Sequence, residues 1–292
     1  MRCMTYLEAL RAGTERLQPT CVDAERESRL ILGAVTGAPQ STQWSDPDRP
    51  LSPAHAKQFA DWLTRRANGE PFAYLTGRRE FWSLPLRVTP DVLIPRPETE
   101  LLVERALALH AANSAAVLDL GTGSGAIAIA LAHERPQWRI TATDTSGPAL
   151  SVARDNARQL GLANIELLLG DWFEAVRARK FALIISNPPY IAADDAALSD
   201  RALLHEPRTA LTPGGDGLVA LHHLVDFAPD FLDTNGWLIL EHGASQHRDV
   251  ANRLVACGYA QVRSHRDLAG HTRVTEGRWP GASASTNNSG HT

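Results

Sequence analysis

Apolar side chains recur at helical spacing through the first 70 residues. Tyr6, Leu7, Leu10 and Leu17 mark one amphipathic segment; Val22, Leu30, Ile31, Ala34 and Val35 mark a second, ended near Gly37 and Pro39. Ser52-Pro53 opens another helix, with a hydroxyl to cap it and a proline in its first turn. Phe59, Trp62 and Leu63 give that helix an apolar face, and Asn68-Gly69 stops it. The pattern then changes. Residues 71–95 alternate and are rich in β-branched side chains, which predicts extended strands or a hairpin turning near Thr89-Pro90-Asp91. Pro95-Arg96-Pro97-Glu98-Thr99-Glu100 starts a helix running to about His110, because proline and acidic residues suit a helix N-terminus.

From residue 115 onward, short apolar runs alternate with helical segments. The predicted strands are Ala116–Leu120, Arg139–Asp144, Ile165–Leu169, Phe181–Ser186, Trp237–Glu241, Tyr259–Arg266 and Arg273–Trp279. Helices fit Gly125–Glu134, Pro148–Gln159, Gly217–Leu232 and Gln246–Ala256, with Ser146 and Ser245 as N-caps and Gly161 and Gly258 as stops. Such alternation predicts an α/β fold with a doubly wound, mostly parallel seven-stranded sheet. The last two strands have no helix between them, so an antiparallel strand is expected at one edge. The expected organisation is a helical bundle at 1–70, an extended linker at 71–95, the α/β domain at 96–279 and a disordered tail at 280–292, where apolar content almost vanishes.

Composition narrows the class. A chain of 292 residues that is 43% hydrophobic and 21% charged folds and has room for two domains. The net charge is −4, so the chain lacks the global basic field of a non-specific nucleic-acid binder. Residues 1–80 hold 11 basic against 10 acidic side chains, and residues 81–292 hold 18 against 23. Stable nucleic-acid binding is therefore not expected. Cys3, Cys21 and Cys257 are an odd number without metal-like spacing and read as free thiols in a reducing compartment. No apolar run reaches the roughly 20 residues of a membrane span, and the N-terminus lacks the apolar core of a signal peptide. A cytoplasmic monomer without membrane contact is expected.

Two stretches carry chemistry. Phe181–Ile185 reads as a central strand buried on both faces, and Asn187-Pro188-Pro189-Tyr190 ends it, since neither proline can donate to a sheet. Ligands bind at the carboxyl ends of such strands. The second stretch is the strand Val117–Leu120 followed by Gly121-Thr122-Gly123-Ser124-Gly125. Its glycines permit a tight turn and close approach of a ligand to backbone. Asp144 ends the next strand, 21 residues after Gly123, a spacing that suits a carboxylate accepting both ribose hydroxyls of a nucleoside. Alone, the loop is a weak signal: it also fits a nicotinamide-dependent enzyme, or a tight turn with no ligand. Its glycine spacing departs from the dinucleotide pattern and matches methyltransferases that use S-adenosylmethionine. Asp119 either orients this loop or caps it, and Glu241 is either a support for the site or a solvated loop acid. His222-His223, His242 and His247 lack a third ligand, so no metal is expected.

With both motifs in view, the chain resembles the release-factor glutamine methyltransferases across nearly its whole length. The resemblance rests on YLTGRREFWSLPL (74–86), LIPRPETELLVE (93–104), VLDLGTGSGAIAIALA (117–132), SNPPYI (186–191), EPRTALTPGGDGL (206–218) and LEHG (240–243), in that order. It implies methyl transfer from S-adenosylmethionine to the glutamine side-chain amide of the Gly-Gly-Gln loop in class-I peptide-chain release factors. It further implies that Gly121, Thr122, Gly123, Ser124 and Gly125 line the cofactor, with Asp144 on the ribose and Trp172 beside the adenine. Asn187 would touch cofactor and substrate, and the acceptor amide would sit against Asn187, Pro188, Pro189 and Tyr190. Arg96 and Thr99 would border the same cavity. The alternative is an N6-adenine nucleic-acid methyltransferase, which shares Asn-Pro-Pro-Tyr but must hold a polyanion. A non-enzymatic nucleoside-binding module is the third reading.

Overall fold

The computed structural model describes residues 3–110 and 112–281. Most of the expected 280–292 tail lies outside the described residues. The chain divides into two compact units, Met1–Arg78 with Ser199–His205, and Arg79–Leu198 with Glu206–Thr292. No helix among the described residues is long and apolar enough to cross a membrane.

The first unit is helical: α1 (Tyr6–Leu17), α2 (Ala24–Thr36), α3 (Gln40–Ser45), α4 (Pro53–Ala67) and α5 (Phe72–Thr76). Local chemistry explains the helix starts. Thr5 and Glu8 exchange hydrogen bonds in a capping box ahead of α1, and the Ser52 hydroxyl accepts the His55 N–H ahead of α4. The unit's core gathers Leu10, Leu17, Ile31, Leu32, Phe59 and Leu63. The stretch Phe72–Thr76, expected to be extended, is a short helix closed by Gly77 in the left-handed region, φ +68°.

The second unit begins with a hairpin, β1 (Arg78–Phe81) and β2 (Leu84–Arg87). Its turn is Trp82-Ser83, not Thr89-Pro90-Asp91. Both turn residues have positive φ, 53° and 57°, a conformation that costs a non-glycine residue about 1–2 kcal/mol. Distant groups offset that cost: the Trp82 N–H donates to Glu100 Oε1 at 2.9 Å, and its indole N–H donates to Glu134 Oε1 at 2.8 Å.

Then follow α6 (Glu100–Leu109), β3 (Ala116–Leu120), α7 (Ala126–Glu134), β4 (Arg139–Asp144), α8 (Gly147–Gln159), β5 (Ile165–Leu169), β6 (Phe181–Ser186), α9 (Arg208–Leu211), α10 (Val219–Phe227), β7 (Leu232–Glu241), α11 (His247–Ala256), β8 (Ala260–Arg266) and β9 (Thr272–Arg278). The seven-stranded sheet has the order β5-β4-β3-β6-β7-β9-β8. Strands β3 to β7 pair in parallel, and at one edge of the sheet β9 runs antiparallel to both β7 and the outermost strand β8. The pleat sends Val117, Leu183 and Ile185 into one apolar layer and Leu118, Leu120 and Ile184 into the other. The strand order reverses between β3 and β6, so a crevice opens at their carboxyl ends.

Two predicted boundaries shift for physical reasons. The helix expected over Gly217–Leu232 stops at Phe227, and Pro229 follows inside a 3-10 turn, Ala228–Asp230. Strand β7 starts five residues before Trp237, passing through Asn235 with φ 67°. Ser146 caps α8 as expected, accepting the Ala149 N–H. Ser245 does not cap α11: Gln246 takes that place, and its side chain accepts the Gly243 N–H and donates to the Tyr190 carbonyl.

Candidate active site

Asp119 anchors the glycine loop from below. It is fully buried on β3, and its Oδ2 accepts the Thr122 hydroxyl at 2.6 Å and the Ala128 N–H at 3.2 Å. Its Oδ1 has no hydrogen-bond partner among the described residues, and burial pushes the carboxyl up to about 7. The loop also ties sideways to β4, since the Gly121 and Thr122 N–H groups both donate to the Thr143 carbonyl. Gly121, Gly123 and Gly125 all take positive φ, the reason glycine stands at these positions. A Cβ on Gly125 would fall 2.9 Å from Ile129 Cδ1 and 3.1 Å from Ala153 Cβ. A Cβ on Gly123 would meet no protein atom within 4 Å.

That open space belongs to a cavity of about 210 Å³ in the crevice. Gly121, Gly123, Asp144, Trp172, Asn187 and Pro189 line it, joined by Asp91, Leu93, Thr143, Ser146, Gly170, Pro207 and Thr209. Asp144 is held before any ligand arrives. Its Oδ2 accepts the Gly123 N–H at 2.9 Å and its Oδ1 accepts the Ser146 N–H at 2.8 Å. Each oxygen keeps a lone pair for a further donor. Trp172 has φ 42°, and the Thr143 hydroxyl donates to its carbonyl at 3.4 Å. Its ring faces the loop, lying 3.8 Å from where a Gly121 Cβ would be. The N-cap of α7 is Gly125, which has no side chain to satisfy the first turn; Asp119 takes the Ala128 N–H of that turn.

The turn after β6 is built as a bracket. Ser186 donates to the Leu120 carbonyl at 2.7 Å, locking β6 to β3 at the crevice. The Asn187 Nδ2–H donates to the Thr99 hydroxyl at 3.1 Å. Among the described residues nothing donates to Asn187 Oδ1. The Tyr190 hydroxyl donates to Glu241 Oε1 at 3.1 Å. Burial, reinforced by the Glu241 charge, raises the phenol well above its ordinary range. Glu241 is 1% exposed, so it is not a solvated loop acid; burial pushes its carboxyl up to about 7. Glu241 Oε2 is left without a hydrogen-bond partner among the described residues.

The structure thus brings Gly121, Gly123, Asp144, Trp172, Asn187 and Pro189 to one cavity and sets the other expected residues apart from its wall. The Thr122 side chain is occupied by Asp119, the Ser124 carbonyl accepts the Asn156 amide at 2.9 Å, and Gly125 packs against α7 and α8. Pro188 is buried. Thr99 stands behind Asn187, and Arg96 is clamped at 2.5 Å by Glu206, which also accepts the Ile94 N–H. Sequence reasoning missed the wall formed by Asp91, Leu93, Pro207 and Thr209. In the sequence Asp91 reads as a turn residue. Glu206, Pro207 and Thr209 fall in one of the stretches that carried the resemblance, the only sequence signal that pointed to them.

The chain is similar to known proteins over most of its length. The family described as Methyltransferase small domain matches residues 97–227, and the PrmC N-terminal domain matches residues 8–77. A protein of Pseudomonas aeruginosa named release factor glutamine methyltransferase is 47% identical, over 89% of this chain and 95% of its own. The protein of that name from Escherichia coli K12 is 42% identical, over 94% of this chain and 99% of its own. Among solved structures, a methyltransferase from Pyrococcus furiosus shares the fold with TM-score 0.52 and 19% identity, over 76% of this chain and all of the other.

Proposed function

The chain belongs to the release factor glutamine methyltransferases, and on that premise we propose that it methylates the side-chain amide nitrogen of the glutamine in the Gly-Gly-Gln loop of class-I release factors. The methyl donor is S-adenosylmethionine, which supplies an activated methyl on a sulfonium. The observation that carries the reading is Asn187: it lines the cavity, its NH₂ donates to the Thr99 hydroxyl, and among the described residues nothing donates to its oxygen.

The residues present fit the cofactor. Gly123 leaves open space where any side chain would intrude, and Asp144 is fixed beside it with acceptor capacity for ribose hydroxyls. Trp172 offers a flat apolar wall for a purine. On the acceptor side, a carboxamide nitrogen is a weak nucleophile because its lone pair is delocalised into the carbonyl. Asn187 Oδ1 accepts one N–H of that group, and the Pro188 carbonyl accepts the other. Both bonds fix the nitrogen's direction and favour localisation of its lone pair. Tyr190 packs against the flat amide. Such positioning supplies up to about 7–11 kcal/mol of barrier reduction. No strong base is required beforehand, because the N–H becomes acidic once nitrogen is alkylated.

The helical unit would dock the release factor while the α/β unit performs the transfer. The expected assembly is a monomer in the cytoplasm, without stable nucleic-acid binding. Labelled methyl transfer, offered to release factor and to nucleic acid separately, tests the reading. Label in release factor alone is the expected result; label in nucleic acid alone would establish the adenine-directed alternative.

A further inference from the structure

We propose that Glu206 is a positioning residue for the cofactor cavity: its buried carboxylate ties together two wall segments from distant parts of the chain, 91–96 and 206–211. The assignment rests on the placement of S-adenosylmethionine in this cavity and deepens it.

Asp91, Val92 and Leu93 line the cavity from one stretch, and Pro207, Thr209 and Ala210 line it from the other. Neither stretch belongs to a strand, so no ladder of backbone bonds holds it in place. Glu206 supplies the tie, and its side chain is 1% exposed. Its Oε2 accepts the Ile94 N–H at 3.0 Å, one residue beyond Leu93, and its Oε1 accepts from Arg96 Nη2 at 2.5 Å. These partners lie 112 and 110 residues away in sequence. The chain rejoins the second unit at Glu206, so the second stretch is pinned where it enters. Its far end is pinned too: the Leu211 carbonyl accepts the Ile191 N–H at 3.0 Å, just past the Asn-Pro-Pro-Tyr turn. Pro207, Thr209 and Ala210 therefore stand between two anchors. Pro95, Pro97 and Pro207 flank the tied residues, and their fixed φ carries the restraint along the backbone on both sides.

The chemistry of the tie requires a carboxylate. The Ile94 N–H and the Arg96 guanidinium are both donors, and neither can accept. A carboxylate offers one acceptor oxygen to each, and the guanidinium beside it compensates its buried charge. The isosteric amide has a single acceptor oxygen. Turned either way, it sets its own NH₂ against a donor, and one of the two bonds is lost. Arg96 reaches Glu206 through one nitrogen, so the ammonium of a lysine can serve in its place, whereas an apolar side chain cannot.

The test uses the full-length protein, first with S-adenosylmethionine alone in a calorimeter and then under turnover with a class-I release factor. Glu206→Gln and Arg96→Met each weaken cofactor affinity by about tenfold, the scale of one buried hydrogen bond left unmade. Arg96→Lys stays within about twofold of the wild type. The double variant Glu206→Gln/Arg96→Met is no weaker than Glu206→Gln, because both changes break one tie. Under turnover the KM for S-adenosylmethionine rises with the dissociation constant, while kcat at saturating cofactor stays within about threefold, since Asn187 and Thr99 are untouched. A merely structural role would lower the denaturation midpoint and leave the affinity of the folded protein unchanged. Wild-type affinity in folded Glu206→Gln, losses that multiply in the double variant, equal losses in Arg96→Lys and Arg96→Met, or a fall in kcat larger than the rise in KM would each overturn the assignment. If Glu206→Gln does not fold, the Arg96→Met and Arg96→Lys pair decides alone. Failure of the wild-type protein to bind S-adenosylmethionine would instead overturn the functional reading beneath it.

Discussion

Alanine at Gly123 and at Gly125 should separate two jobs that neighbouring glycines perform in one loop. Both hold left-handed backbone, φ +55° and +84°, so either substitution costs about 1–2 kcal/mol of folding stability. Their surroundings then part them. At Gly125 the new methyl lands 2.9 Å from Ile129 and 3.1 Å from Ala153, and overpacking there adds about 1–3 kcal/mol. The total loss is about 2–5 kcal/mol. At Gly123 the methyl meets no protein atom within 4 Å and enters the cavity. Its additional cost falls on the ligand: about 1–3 kcal/mol, or roughly 5- to 150-fold in affinity. Urea denaturation measures the first quantity and calorimetric titration with S-adenosylmethionine the second. A folded Gly123→Ala variant with wild-type cofactor affinity would refute the placement of the cofactor in this cavity. Equal stability losses in the two variants would refute the packing argument.

Three further outcomes are expected. Asn187→Ala lowers kcat far more than cofactor affinity, because its oxygen acts on the acceptor; equal kcat at saturating substrate would contradict that role. Removal of residues 1–70 leaves cofactor binding but abolishes methylation of intact release factor, and unchanged activity would refute docking by the helical unit. The third concerns pH. Burial pushes the Asp119 and Glu241 carboxyls up to about 7, against roughly 4 in an unfolded chain. Folded pKa values above unfolded ones mean that this stabilisation is complete below about pH 4 and is lost as pH rises through about 7. Each group accounts for up to about 4 kcal/mol. Denaturation midpoints taken from about pH 5 to about pH 8 should therefore fall, and Asp119→Asn should flatten that slope; an unchanged slope would argue against a buried titrating Asp119.

The sheet was legible because its strands are written locally. Ala116–Leu120, Arg139–Asp144, Ile165–Leu169 and Phe181–Ser186 are apolar runs bounded by glycine, proline or polar turns, and the structure has strands at those same residues. The cavity's principal residues were legible too, since Gly123, Asp144 and Asn187 lie at or just past the carboxyl ends of adjacent parallel strands. What escaped was set by distant partners. Trp82-Ser83 carries no turn signal, and Glu100 and Glu134 hold it in the left-handed region. Ser245 looks like a cap, but the helix starts one residue later, after an N-cap at Gln246, whose side chain ties Gly243 to Tyr190. Thr99 could be placed near the cavity from the resemblance, but its hydrogen bond to Asn187 exists only once the strands are assembled. Glu241 was undecidable in sequence because burial, which changes a carboxylate most, depends on everything packed around it.

The most direct measurement is mass spectrometry of a class-I release factor after incubation with this enzyme and S-adenosylmethionine. A single added methyl on the Gly-Gly-Gln glutamine, absent when that glutamine is alanine, is the predicted result. Methyl found elsewhere, or persisting in the alanine variant, would contradict the account.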